Sequence, residues 1–188
     1  MKESLAALCE RFLESSDTIY KVKGFKLTST KMMPVCAYTY ATSGKSVDAK
    51  RLQECLKLVE ASGGTFSGLR DANQAAVACT LAVSDDAEGM INTAAATLDK
   101  LKKTYKESKY LGIAALLIPK MGKPEEFDSR VTKGKVIFDC LKTRHKMNTD
   151  YNDALMTNLV AYSEKTVEAI TDEIEEIYTE LKPMTSGK

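Results

Sequence analysis

Charge-free stretches recur along the chain at Met32–Gly44, Ala72–Ser84, Tyr110–Pro119 and Ala154–Ser163. Their starts lie 40, 38 and 44 residues apart. Each is followed by a longer segment whose apolar residues recur at helical spacing. A period near 40 built from pairs of helices is the sequence signature of stacked α-hairpins. The pattern therefore predicts an all-α protein: an N-terminal helix followed by about four stacked antiparallel helical hairpins, an α-solenoid-like stack of either hand.

The charge-free stretches read as inner helices buried on most sides. They are rich in alanine, as in Ala75-Ala76-Val77-Ala78-Cys79 and Ile113-Ala114-Ala115-Leu116, and small side chains let neighbouring helices approach closely. A short apolar run can also be a buried strand, but the alanine content and the helical pattern that follows argue for helix. The outer helices show one apolar stripe each. Leu52, Cys55, Leu56 and Val59 form the first, and Met90, Ile91, Ala94, Ala95, Leu98, Leu101 and Tyr105 the second. Phe127, Val131, Ile137, Cys140 and Leu141 form the third, and Val167, Ile170, Ile174, Ile177, Tyr178 and Leu181 the fourth. Lys and Glu take the opposite faces.

Start signals sit at the junctions. Ser46 precedes the first outer helix, Asp85 with Glu88 has capping-box spacing, and Pro124-Glu125-Glu126 suits a first turn. Ser163 or Thr166 can cap the last helix. An N-terminal helix over roughly residues 3–21 places Leu5, Leu8, Cys9, Phe12, Leu13, Ile19 and Tyr20 on one face, as a lid on the first hairpin. No linker divides the chain, which predicts one helical-repeat domain over residues 1–182. Pro183 is expected to break the final helix, with 183–188 a disordered tail or a truncation point. The last hairpin would then pack against another subunit, or the chain would be cut from a longer protein.

The run Val47–Ser62, the turn Gly63-Gly64-Thr65-Phe66-Ser67-Gly68-Leu69-Arg70, the Ser84-Asp85-Asp86 junction and Lys109-Tyr110-Leu111-Gly112-Ile113-Ala114-Ala115 together resemble the bacterial family of unknown function numbered 4003, over about residues 25–182. The resemblance implies a helical cytoplasmic protein with no established activity, from a family whose members look longer than 188 residues.

Composition narrows the function classes. Lys plus Arg is 27 against 26 Asp plus Glu, without the basic excess or stripe of a nucleic-acid binder. The longest charge-free runs are 13 residues, short of the ~20 that span a bilayer. No apolar signal core follows Met1, so a cytoplasmic protein is expected. The five cysteines at 9, 36, 55, 79 and 140 are odd in number and form no C-x-x-C pair, which reads as reduced, buried thiols.

Candidate chemistry is sparse. Gly44-Lys45-Ser46 resembles the end of a P-loop, but Thr39 stands where the first glycine is required and a helix precedes it. One histidine and scattered cysteines leave no zinc-type ligand set, and no cofactor motif appears. Asp172, Glu173, Glu175, Glu176 and Glu180 read as a solvated face. Lys100, Lys102, Lys103, Lys106 and Lys109 sit where cations favour a helix C-terminus. His145 closes an outer helix among Lys142, Arg144 and Lys146, with no carboxylate within a turn. The glycine-rich turn 63–70 is the most distinctive local feature. Arg70 at the mouth of an inner helix can bind a carboxylate or phosphate, with Phe66, Tyr110 and Tyr151 beside it, although bonding carbonyls or Asp71 at a repeat junction suits it as well.

The expected function is therefore a non-catalytic protein-interaction or scaffold domain with a protein or peptide partner. Two alternatives stand: a small-molecule binder or enzyme with a pocket between repeats near Arg70, Tyr110 and Tyr151, and a self-associating module that forms a homo-oligomer through the last hairpin.

Overall fold

The computed structural model describes residues 4–22, 32–61, 69, 73–105, 110–146 and 148–185. Among the described residues the protein is all-α, with nine α-helices and no strand. They are α1 (Leu5–Lys21), α2 (Met32–Ser43), α3 (Ala49–Ala61), α4 (Gln74–Ala82), α5 (Ala87–Thr104), α6 (Leu111–Leu117), α7 (Phe127–Arg144), α8 (Ala154–Val160) and α9 (Val167–Thr185). The charge-free stretches become α2, α4, α6 and α8, and the striped segments become α3, α5, α7 and α9. The chain divides into two compact units, residues 1–99 and 100–188, with the division inside α5.

Short polar residues start and stop these helices. Ser4 accepts the Ala7 N–H at 3.2 Å at the head of α1. Asp48 accepts from the amides of Lys50 and Arg51 at 2.9 and 3.1 Å, so it, rather than Ser46, caps α3. Asp86, not Asp85, caps α5 by accepting from Gly89 N at 2.8 Å. Asp85 instead pairs with Lys45 at 2.5 Å, which holds its carboxyl below the usual carboxylate range. Thr166 caps α9 through the Ala169 amide at 3.2 Å. Gly44, at φ +69°, turns the chain out of α2 through a left-handed conformation that glycine adopts without strain. That turn follows a helix, as expected, and not the strand a P-loop needs.

In residues 1–99 the close pairings are α1 with α2, α2 with α4, and α3 with α4. In residues 100–188 they are α6 with α8, α7 with α8, and α7 with α9. Each unit thus packs one apolar helix on the other, and an amphipathic helix on the apolar helix after it. The reason lies in the apolar helices. α4 buries Ala75, Ala76, Val77, Ala78, Cys79 and Leu81, so it needs cover on more than one side. Cations close the ends of these helices, where carbonyls lack partners. Arg11 forks onto the Ala41 carbonyl at 3.0 and 2.7 Å. Arg130 donates to the carbonyls of Ala161 and Ser163 at 3.2 and 3.3 Å.

Two expectations change. The apolar arc of α1 is wider than the face that packs: Ile19 is buried, whereas Leu5, Leu13 and Tyr20 are exposed and so is Cys9. α9 runs through Pro183 to Thr185 and does not break there. A proline this close to a helix end removes one N–H that only the last turn uses. Residues 186–188 lie outside the described residues.

Candidate functional site

The turn between α7 and α8 builds a candidate site in residues 100–188. α7 ends as His145 donates its N–H to the Leu141 carbonyl at 2.7 Å. The amides of Asn148 and Thr149 then both donate to the His145 carbonyl at 2.9 Å. Lys142 ties the turn down by donating to the Thr149 carbonyl. Asp150 accepts from the Asn152 amide at 2.7 Å, while its own N–H donates to Asp153 at 2.9 Å. This reciprocal cap launches the short 3₁₀ turn Tyr151–Asp153 and then α8.

A cleft of about 330 Å³ opens beside that turn. Leu141, Met156, Val160, Ile174 and Tyr178 form apolar walls, and His145, Asn148, Thr149, Asp153 and Thr157 supply polar groups. Few polar groups set in apolar walls are the usual character of a binding site. His145 Nε2 lies 2.7 Å from the Glu175 carboxylate of α9, and its ring lies 4.4 Å from that of Tyr178. Asn148 Nδ2 donates to the Tyr178 hydroxyl at 2.5 Å. Arg144 reaches Asp172 at 3.3 Å. The α7 C-terminus and α9 are therefore cross-linked by polar contacts above an apolar base formed by Ile137, Leu141, Ala161 and Ile170.

Buried polar groups lie close behind the cleft. Thr157 and Asn158 are 2% and 1% exposed, and the hydroxyl of Tyr105 is buried facing their side chains. Burial pushes the ionisation of Tyr105 up, against the smaller opposing effect of Asn158 and Thr157, so the hydroxyl stays protonated.

Two further clefts lie in residues 1–99 and are more polar. One, of about 460 Å³, sets Arg51 and Cys55 against Glu54, Asp85, Asp86 and Glu88. The other, of about 400 Å³, is lined by Arg11, Glu14, Ser15, Asp17, Thr18, Lys45, Ser46 and Val47. Among the described residues no three His, Cys, Asp or Glu side chains converge to hold a metal ion, and no helix is long and apolar enough to cross a membrane.

Of the residues singled out from sequence, Phe66 and Arg70 lie outside the described residues. Tyr110 stands at the head of α6, where its carbonyl accepts the Ala114 N–H at 3.0 Å. Tyr151 stacks on Phe138 at 5.5 Å, with Tyr105 edge-on to the same ring at 5.9 Å. Neither tyrosine lines any of the three clefts.

Sequence reasoning missed the His145 site. Its neighbours along the chain are cations, and its carboxylate comes from 30 residues away. The acidic run on α9 is solvated as expected at Asp172, Glu173, Glu176 and Glu180, which are exposed, while Glu175 is half-buried; Asp172 and Glu175 also meet Arg144, and Glu173 meets Lys165. The available signal was the i, i+3 spacing of Glu175 and Tyr178, which puts a carboxylate and an aromatic ring on adjacent faces of one helix.

Alternating apolar and amphipathic helices around short capped turns define an all-α class. Within it, residues 18–185 match the model of the family described as Protein of unknown function (DUF4003), and the chain belongs to that family. No curated protein and no solved structure matches it.

Proposed function

We propose that the protein is a non-catalytic interaction domain whose docking site is the cleft between the end of α7, α8 and α9. The observation that carries this reading is the cleft itself: an apolar pocket of about 330 Å³, sized for one or two anchoring side chains, with Met156 57% and Tyr178 38% exposed at its edge. Exposed apolar surface rimmed by polar groups marks interaction sites, and buried apolar anchors dominate such interfaces. The repeat period and the like pairing of helices in both units support a helical-repeat scaffold. The buried thiols of Cys36, Cys55 and Cys79 suit a reducing, cytoplasmic setting.

The test is capture of partners from lysate of the source organism on wild-type and Met156→Glu baits. A protein held by the first and released by the second supports the reading. Equal recovery on both baits sinks it.

A second reading is binding of a small molecule in the same cleft. It draws on the convergence of His145, Asn148 and Thr157 and on the buried polar groups of Asn158 and Tyr105 behind them. A ligand found by thermal shift, whose effect disappears in Asn148→Ala, would favour it.

A further inference from the structure

The exposed half of α9 narrows the chemistry of the partner. From Glu176 onward every residue through Met184 is exposed. Ile177, Tyr178, Leu181 and Met184 are 56%, 38%, 49% and 80% exposed. Their spacing places them on one face of the helix. A helix this amphipathic, and bare on its apolar side, has the form of a helix-docking surface.

Charge decides between occupants. Asp172 and Glu175 share Arg144, at 3.3 and 3.9 Å, and Glu173 pairs with Lys165. Glu176 and Glu180 have no ion-pair partner among the described residues, and Lys182 is the sole cation of α9. Glu176 and Glu180 therefore edge the apolar stripe with negative charge that no ion pair among the described residues compensates. Pairing with α9 of a second copy would set Glu176 and Glu180 against the same residues, a like-charge contact that disfavours association. An anionic membrane surface is repelled for the same reason.

We propose that this half of α9 docks a cationic amphipathic helix of a partner protein, whose Lys or Arg residues meet Glu176 and Glu180 while its apolar stripe covers Ile177, Leu181 and Met184. The proposal rests on the interaction reading above and adds the partner's charge to it.

Three labelled synthetic helices test it by fluorescence anisotropy with the full chain: one Leu-striped and flanked by Lys, one with the same stripe flanked by Glu, and a scrambled Lys control. The Lys-flanked helix should bind about tenfold or more tighter than the Glu-flanked one, and its binding should weaken as salt rises. Glu176→Lys with Glu180→Lys should reverse that preference, and Leu181→Asp should abolish both. Helicity by circular dichroism checks that each variant is folded. Equal affinity for the two striped helices overturns the charge assignment while leaving the interaction reading intact. Failure of every helix to bind, with Met156-dependent capture still seen, overturns the proposal alone; failure of both experiments removes the reading as well. A doubled mass by light scattering that Leu181→Asp returns to monomer also overturns it, because a second copy would then be the occupant.

Discussion

In residues 1–99 the apolar helices close on their neighbours and the clefts are polar, whereas in residues 100–188 an apolar seam stays open. The difference traces to side-chain size and chemistry. α4 buries six residues, three of them alanine, within one short helix. α2 contributes Cys36, Ala37 and Ala41 to the same core, all at 1% exposure or less, so the two backbones can approach closely. α8 buries only Ala154, Thr157 and Asn158 and leaves Met156 in solvent. α9 then seals the first part of the unit through Ile170 and Thr171, and its later residues pass into solvent. A similar alternation of helices thus yields a closed apolar core or an apolar cleft, depending on whether the second apolar helix carries small residues on every face.

The sharpest way to probe that comparison is to show that the cores match where the edges differ. Ile137→Ala in α7 and Leu52→Ala in α3 remove fully buried side chains. Each should lower stability by about 2–5 kcal/mol in urea melts; a much smaller loss at Ile137 would mean that the open unit is loosely packed throughout. Next in size is Gly134→Val. A β-carbon at Gly134 meets the Asn158 Cα at 3.1 Å, and backbone cannot yield as a side chain can, so a cost of roughly 2 kcal/mol is expected. Tyr40→Phe should act in the opposite direction. Its hydroxyl is buried without a partner in the closed unit, and deleting it should stabilise by about 1 kcal/mol in the same melts. Met156→Asp at the cleft edge should change stability by less than about 0.5 kcal/mol while removing partner capture. The smallest effect is titration of Asp85. Lys45 lowers its folded-state pKa, so the stability it adds is present above the ordinary carboxylate range and is lost as pH falls through the lowered value. Asp85→Asn should lower the neutral-pH melt slightly and flatten the acid limb, so that variant and wild type converge at low pH.

The helices were legible because their determinants are local. Runs without charge mark α2, α4, α6 and α8, and spacing of Leu, Ile and Val marks the amphipathic set. Caps were legible to within one or two positions: Asp85 and Asp86 look equivalent in sequence, and only the distant Lys45 separates their roles. The site was not legible. His145 and Glu175, like Arg130 and Ala161, meet across about 30 residues, and helical periodicity carries no record of which faces meet. The cleft also depends on what α8 lacks, and a missing alanine leaves no motif.

The sealed thiols have a kinetic consequence. Cys36, Cys55 and Cys79 are at most 1% exposed, and burial raises the Cys55 pKa, so alkylation there must wait for the helices to part. Cys140, half-buried in α7, and Cys9, exposed on α1, require far less opening. A single alkylation time course followed by peptide mass spectrometry therefore works as a pair of clocks. The Cys36, Cys55 and Cys79 rates report how often residues 1–99 breathe open, and the Cys140 rate reports the same for α7. If a bound partner slows only the second clock, it damps motion in residues 100–188 and leaves residues 1–99 as they were.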